Sequence, residues 1–152
     1  MGIAENYFNS NTISRDFFGA IVGDLLGEGS CRAVYNCRLD PTIVIKFETG
    51  SFRFQNVMEW QVWDRVAWVE GIKDWFCPLV GISNCGTVLI QKKAIDLRKE
   101  ELPERVPSFF TDLKTENWGM YNGKPVIRDY GTHLLMERGM TKAMKKAKWI
   151  LS

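Results

Sequence analysis

Histidine is almost absent from this chain, His133 being alone among 152 residues. The four cysteines, Cys31, Cys37, Cys77 and Cys85, form no CxxC pair. These two shortages argue against a zinc site, which draws on closely spaced cysteine and histidine, and reduced thiols in a cytosolic protein are expected instead. No apolar run approaches the roughly 18 residues that a membrane helix needs. The amino terminus lacks a basic start followed by an apolar stretch, so no signal peptide is expected. A net charge of +2 is too small to argue for nucleic acid and does not exclude it. The expectation is a soluble, cytoplasmic protein that makes no use of a membrane.

What the chain does have is the ordinary material of a globular domain, 45% hydrophobic and 25% charged. Its length suits one domain, residues 1–152, with a real core. Residues 1–17 are polar with scattered aromatics, a turn or helix start is expected at 9–12, and the segment suggests no function. An apolar stretch at 18–26 predicts a strand. It leads into Gly27-Glu28-Gly29-Ser30-Cys31-Arg32-Ala33-Val34 and then a second strand. Glycines two apart between strands allow a tight turn whose N–H groups can approach a phosphate, although a plain glycine hairpin has the same sequence. Residues 42–47, TIVIKF, predict a third strand, because β-branched residues suit a sheet. Lys46 interrupts it, as an edge lysine or as a phosphate-binding one.

Residues 53–70 predict a helix from Phe54, Val57, Met58, Val62, Val66 and Val69, which recur at three- and four-residue steps. Glu59 precedes Val62 by three and Val66 by seven, so it either faces roughly the buried side, where a carboxylate needs a cation, or sits at the edge of the stripe in water. Lys46 is the obvious partner; Asp64 and Glu70 are weaker alternatives to Glu59. Residues 78–82 and 87–91 predict a hairpin that raises the strand count to five. Residues 92–105 read as a charged connector with one short helix. A second hairpin, 118–121 with 124–128, turns at Asn122-Gly123, the strongest turn signal in the chain. The tail, 132–152, carries Leu134, Leu135, Met140, Met144 and Ile150 among Lys142, Lys145, Lys146 and Lys148. It predicts an amphipathic basic helix, packed on the domain or docking an acidic partner or nucleic acid. Six tryptophans and nine phenylalanines leave room for an aromatic partner surface.

The chemistry concentrates in Asp112-Leu113-Lys114-Thr115-Glu116-Asn117, followed after the second hairpin by Asp129-Tyr130-Gly131. Two oxygen ligands suit Mg²⁺, one carboxylate can orient a hydroxyl, and a lysine can neutralise a moving phosphoryl group. The hairpin brings Asn117 and Asp129 close by its turn alone.

In this order the pieces resemble the protein kinase fold over roughly residues 20–131. Gly27-x-Gly29-x-x-Arg32-x-Val34 resembles the glycine-rich loop, and Ile43-Val44-Ile45-Lys46 the lysine strand, with Glu59 where the paired helix glutamate belongs. Asp112 to Asn117 resembles the catalytic loop, and Asp129-Tyr130-Gly131 the metal-binding triplet. The compactness is similar to that of small phage-encoded kinase-like proteins, which would put the chain in a host cytoplasm. The resemblance implies an α+β fold: a five-stranded antiparallel N-lobe sheet with one helix, about 18–91, and a much reduced C-lobe, about 92–152, carrying the catalytic loop. It implies ATP and Mg²⁺, with Lys46 on the α- and β-phosphates and Glu59 fixing Lys46. Gly27, Gly29 and Val34 would line the nucleotide, and the backbone from Gln91 to Lys93 would meet the adenine. Asp112 would orient the substrate hydroxyl, Lys114 would steady the γ-phosphate, and Asn117 and Asp129 would ligate Mg²⁺.

The departures are equally specific. Arg32 stands where the loop has its third glycine, and Phe110-Thr111 where the family has histidine and arginine. The latter loss removes the usual receiver of an activation-loop phosphate. About 20 residues separate the linking strand from Asp112, and only 21 follow Gly131. Little chain remains for a helical, substrate-binding lobe. Three functions stay open: a minimal kinase acting on a protein Ser/Thr or on itself, a kinase-like nucleotide-binding module or pseudokinase that engages a host protein, and a small-molecule phosphotransferase.

Overall fold

Isoleucines at alternate positions of β3 (Ile43–Glu48) make it the centre of a sheet, with one side chain in two aimed at an apolar core. The computed structural model describes residues 15–48, 53–131 and 139–151. They form a mixed α+β protein dominated by sheet, in two units: Met1–Trp60 with Pro78–Lys93, and Gln61–Cys77 with Ala94–Ser152. The turn expected at 9–12 and His133 lie outside the described residues.

The first unit holds helix α1 (Arg15–Ile21), then β1 (Val22–Glu28), β2 (Arg32–Cys37) and β3, the start of helix α2 (Gln55–Val66), and β4 (Leu79–Ile82) with β5 (Val88–Lys92). The five strands form one antiparallel sheet in the order β1-β2-β3-β5-β4. Its register sorts the side chains onto two faces, because directly opposed residues share a face. Ala33 opposes Phe47, Tyr35 opposes Ile45, and on the far side Phe47 opposes Val88 and Ile45 opposes Ile90. This apolar face meets Phe18 and Ile21 of α1, with Phe18 and Phe47 rings 4.9 Å apart. The opposite face carries Val34 against Lys46, Lys46 against Leu89, and Val44 against Gln91.

The strand expected over 18–26 begins only at Val22; residues 15–21 are helical. A continuous apolar run fits either period, and Phe18 with Ile21, three apart, share the helix face that covers the sheet. The helix expected over 53–70 is Gln55–Val66, and its buried stripe is only partly the expected one. Phe54 and Met58 are exposed, whereas Asn56, Glu59, Val62 and Val66 are buried. The stripe is polar in its first half because polar groups of the sheet meet it there.

The second unit is built from the end of α2, a 3-10 turn at Lys73–Trp75, and short strands. β6 (Ile95–Asp96) pairs with β8 (Trp118–Tyr121), which pairs with β9 (Lys124–Ile127) through Asn122 (φ 49°) and Gly123 (φ 75°), the turn that this dipeptide favours. The connector expected over 92–105 thus contains β6 as well as a 3-10 turn at Lys99–Glu101. Phe76, Phe109, Phe110, Trp118 and Tyr130 form an aromatic core, with Phe110 5.0 Å from Trp118 and Phe76 5.1 Å from Tyr130. These large rings bury much apolar area in a short chain.

The tail departs most from expectation. Residues 139–151 are extended, with β10 (Met144–Lys146) antiparallel to β7 (Arg105–Pro107). Met144, Lys146, Lys148 and Ile150 point outward, alternating with half-buried Lys145, Ala147 and Trp149. Pairing with β7 outweighs the helical spacing of the apolar residues, and no basic helix forms in this part of the tail. Among the described residues no helix is long and apolar enough to cross a membrane.

Of the four cysteines, only Cys85 is exposed. Its thiol lies in the β4–β5 turn, 2.9 Å from the Thr87 hydroxyl and 3.5 Å from that of Ser83. These hydroxyls, Thr87 first, and the Thr87 N–H hold the thiol below its ordinary range. A lowered value keeps thiolate present to lower pH, and thiolate is the reactive form. Iodoacetamide is therefore expected to label Cys85 first, with a rate–pH midpoint that moves up in Thr87→Ala; an unmoved midpoint would refute the hydroxyl's role. The adjacent Gly86 has φ 74°, and a Cβ there would lie 2.6 Å from Val57 Cγ2. Gly86→Ala is expected to cost about 2 kcal/mol or more, read as a lower unfolding midpoint in denaturant.

Candidate functional site

The polar face of the first sheet carries the buried charges. Lys46 is 3% exposed, Glu59 0% and Arg32 6%. β3 fixes Lys46 by its register, and α2 aims Glu59 at it, so that Lys46 Nζ donates to Glu59 Oε1. The second carboxylate oxygen, Oε2, accepts from Arg32 Nη2 at 3.0 Å. Arg32 Nη1 donates to Asn56 Oδ1 at 3.2 Å. Asn56 is fully buried, and its Nδ2 is within 3.1 Å of the carbonyl of Lys46 and 3.0 Å of those of Gly86 and Thr87. Its N–H donates to Glu48 Oε1 at 2.8 Å. The first turn of α2 is thereby tied to β2, to β3 and to the β4–β5 turn. Hydrogen bonds to charged groups are the stronger ones, at roughly 1.5–3 kcal/mol each.

Arg32, which stands where the glycine-rich loop has its third glycine, turns its guanidinium inward to Glu59. Asn56 went unnoticed, and its signal was slight: a polar residue three before Glu59 on the same helix face. Val34, Lys46 and Gln91 share the polar face, with Val34 half-buried and Gln91 buried. Farther along, the N–H groups of Lys92 and Lys93 donate to the carbonyls of Pro78 and Thr42, both 2.8–2.9 Å away. Lys93 Nζ reaches Asn36 Oδ1 at 2.8 Å. Recognition of a base by this stretch would therefore use groups other than those two N–H donors.

The two glycines expected between the strands are divided: Gly27 lies in β1 opposite Val34, and Gly29 opens the β1–β2 turn, which its N–H closes onto Arg32 O at 2.8 Å. A Cβ at Gly27 would meet nothing within 4 Å, and one at Gly29 only Arg32 O at 3.8 Å. Neither residue has a positive φ.

In the second unit, Asp112 and Lys114 lie on the loop before the 3-10 turn Thr115–Asn117. Lys114 Nζ is 3.8 Å from Asp112 Oδ2, and both side chains are about half exposed. Exposed pairs of this kind add little to stability. Asn117 and Asp129 meet across the β8–β9 hairpin: the Asn117 carbonyl accepts from Arg128 N–H at 2.8 Å and Asp129 N–H at 3.3 Å. Asp129 is exposed. Among the described residues no three His, Cys, Asp or Glu side chains are grouped to hold a metal. One carboxylate with one amide is an oxygen-only pair suited to a hard ion that keeps waters and phosphate oxygens as its other ligands.

Two supports of this loop were not visible in the sequence. Arg128 Nη1 donates to Ala94 O at 3.0 Å, Nη2 to Asp96 Oδ1 at 2.6 Å and to Glu116 O at 3.3 Å, joining β6 to the turn that carries Asn117. The tail is the second. Ser108 N–H donates to Ala143 O at 2.8 Å, Ile150 N–H to Leu113 O at 2.9 Å, and Thr115 N–H to Ile150 O at 3.0 Å. Lys145 Nζ donates to Phe110 O, and Trp149 Nε1 to Pro103 O at 2.9 Å. The Trp149 ring stands edge-on to Trp118, 5.1 Å away. The lysine-rich tail is a strap along the loop from Ser108 to Thr115.

Comparison of the sequence with models of known protein families and with curated proteins finds no match to either.

A chain ending at Ala147 is expected to lose the bonds that hold Leu113 and Thr115. Hydrogen exchange should show the Thr115 amide unprotected, with the β2, β3 and β5 amides unchanged. Full protection of Thr115 in the shortened chain would refute the strap.

Proposed function

We propose that the protein is a minimal kinase, transferring the γ-phosphoryl group of ATP, with Mg²⁺, to a protein Ser/Thr hydroxyl or to one of its own. The observation that carries this reading is the buried Lys46–Glu59 pair on the sheet face that also bears Val34 and Gln91. Desolvating a lysine and a glutamate is costly, and apolar residues of similar size often serve a fold as well. A charge kept there at such cost suits a charge to be used. Open space at Gly27, which neither packing nor φ requires to be glycine, supports close approach by phosphates.

In this reading Lys46 holds phosphate oxygens, and Glu59 fixes its ammonium. Asp112 accepts the hydroxyl proton, and Lys114 beside it offsets charge on the transferred group. Asn117 and Asp129 hold Mg²⁺, which when bound neutralises phosphate charge. A second reading, a nucleotide-binding module without transfer, draws on a specific observation: beyond the end of α2, the second unit has only strands and 3-10 turns among the described residues. No helical platform for a peptide substrate is among them.

Incubation with γ-labelled ATP and Mg²⁺, alone and with a cell lysate, tests the two. Label on a protein is expected, reduced roughly a hundredfold or more in Asp129→Ala. Asp112→Asn is expected to lower kcat by roughly 10²–10⁴ with the KM for ATP little changed. Full activity of Asp129→Ala would overturn the metal assignment. Absence of label together with a thermal shift on adding Mg²⁺-ATP would leave the binding module.

A further inference from the structure

We infer that Arg32 is a positioning residue, a standing counter-ion for Glu59 that leaves Lys46 available to phosphate. The inference rests on the nucleotide reading above and extends it to a residue which that reading leaves without a role.

Glu59 has two oxygens, and each has its own cation: Oε1 takes Lys46 and Oε2 takes Arg32 at 3.0 Å. The carboxylate is fully buried. In a pair of one lysine and one glutamate, drawing the ammonium toward a phosphate strips the buried carboxylate of its compensation, which is strongly unfavourable. Here the carboxylate keeps Arg32 whatever Lys46 does. Arginine suits the task because its planar fork offers several donors in fixed directions, and lysine offers a point charge. The fork spans Asn56 Oδ1 at 3.2 Å and Glu59 Oε2, residues three apart on one face of α2. Asn56 in turn is anchored through its amide to the carbonyls of Lys46, Gly86 and Thr87. Arg32 therefore sets both the charge balance of Glu59 and the orientation from which Glu59 directs Lys46. Its place beside the β1–β2 turn, closed by Gly29 N–H on Arg32 O, ties that turn to the same network.

The test combines thermal melts without nucleotide and calorimetric titration with Mg²⁺-ATP. The proteins are wild type, Lys46→Met, Arg32→Lys, Glu59→Gln and the Arg32→Lys/Glu59→Gln double variant. Lys46→Met is expected to melt near wild type, because Glu59 keeps a cation, while its ATP affinity is lost. Arg32→Lys is expected to bind ATP about tenfold more weakly, and the double variant no more weakly than Glu59→Gln, since Arg32 acts through that carboxylate. A purely structural arginine would lower the melt and leave affinity unchanged, or add its effect fully to that of Glu59→Gln; either result overturns the proposal. Should Arg32→Lys fail to fold, the melt of Lys46→Met decides: unfolding of that variant also overturns it. Failure of the wild type to bind Mg²⁺-ATP would sink the nucleotide reading, while the melts would still report whether Arg32 alone sustains the buried carboxylate.

Discussion

A carboxylate with no exposure to water, shared between an arginine and a lysine, is the constraint on which the first unit depends. Glu59 fixes the rotation of α2, because only one helix face can meet Arg32 and Lys46 together. It fixes the register of the sheet by the same logic. A slip of one residue would send Lys46 to the apolar face that Phe18 and Ile21 cover, and Ile43 and Ile45 to the polar one. Asn56 extends the constraint to the β4–β5 turn by bonding two of its carbonyls, and there Gly86 leaves the space that Val57 fills. Breaking a buried pair by removing one partner is far more costly than never having built it. The network therefore specifies one arrangement of strand, helix and turn more strongly than an apolar stripe would.

The second unit solves a different problem, how to hold an irregular loop with little chain. The loop from Ser108 to Thr115 belongs to no sheet, so its N–H and C=O groups need partners. The extended tail provides them at Ala143 and Ile150, with the Lys145 ammonium on the Phe110 carbonyl. Arg128 does the same for the turn at Glu116. Beneath both, Phe110 and Trp118 are buried against their aromatic neighbours and anchor the loop from inside. The side chains with chemical capacity, Asp112, Lys114 and Asp129, are the ones left partly or fully exposed. A rigid backbone carrying accessible polar groups is what a site requires of its scaffold.

Features set by near neighbours in sequence were legible in advance. The β4–β5 hairpin and the Asn122-Gly123 turn follow from short apolar runs separated by turn residues. The count of five strands follows from runs of that kind, while their antiparallel arrangement in one sheet was expected from the kinase resemblance. The position of Glu59 on the buried side of its helix followed from its spacing to Val62 and Val66. Features set by distant partners were not legible. The α1 segment satisfies both helical and strand periods, and the sheet face that it covers decides between them. The inward turn of Arg32 depends on Glu59, 27 residues away. The strap depends on β7, since residues 144–146 pair with 105–107.

The sequence by itself determined the alternation that makes strands, the turns that join them, and the inventory of charged groups. It pointed to one partnership among them, Lys46 with Glu59, which the structure shows, and to no other. Tertiary structure decided that Arg32 serves Glu59 and not a loop, that Asn56 is buried while Phe54 is exposed, and that a lysine-rich tail lies extended. The physical reason is the same in each case. Local propensities differ by a few tenths of a kcal/mol to about 1 kcal/mol per residue, whereas satisfying a buried charge or an unpaired backbone group is worth more than that. Where the two compete, the distant partner prevails.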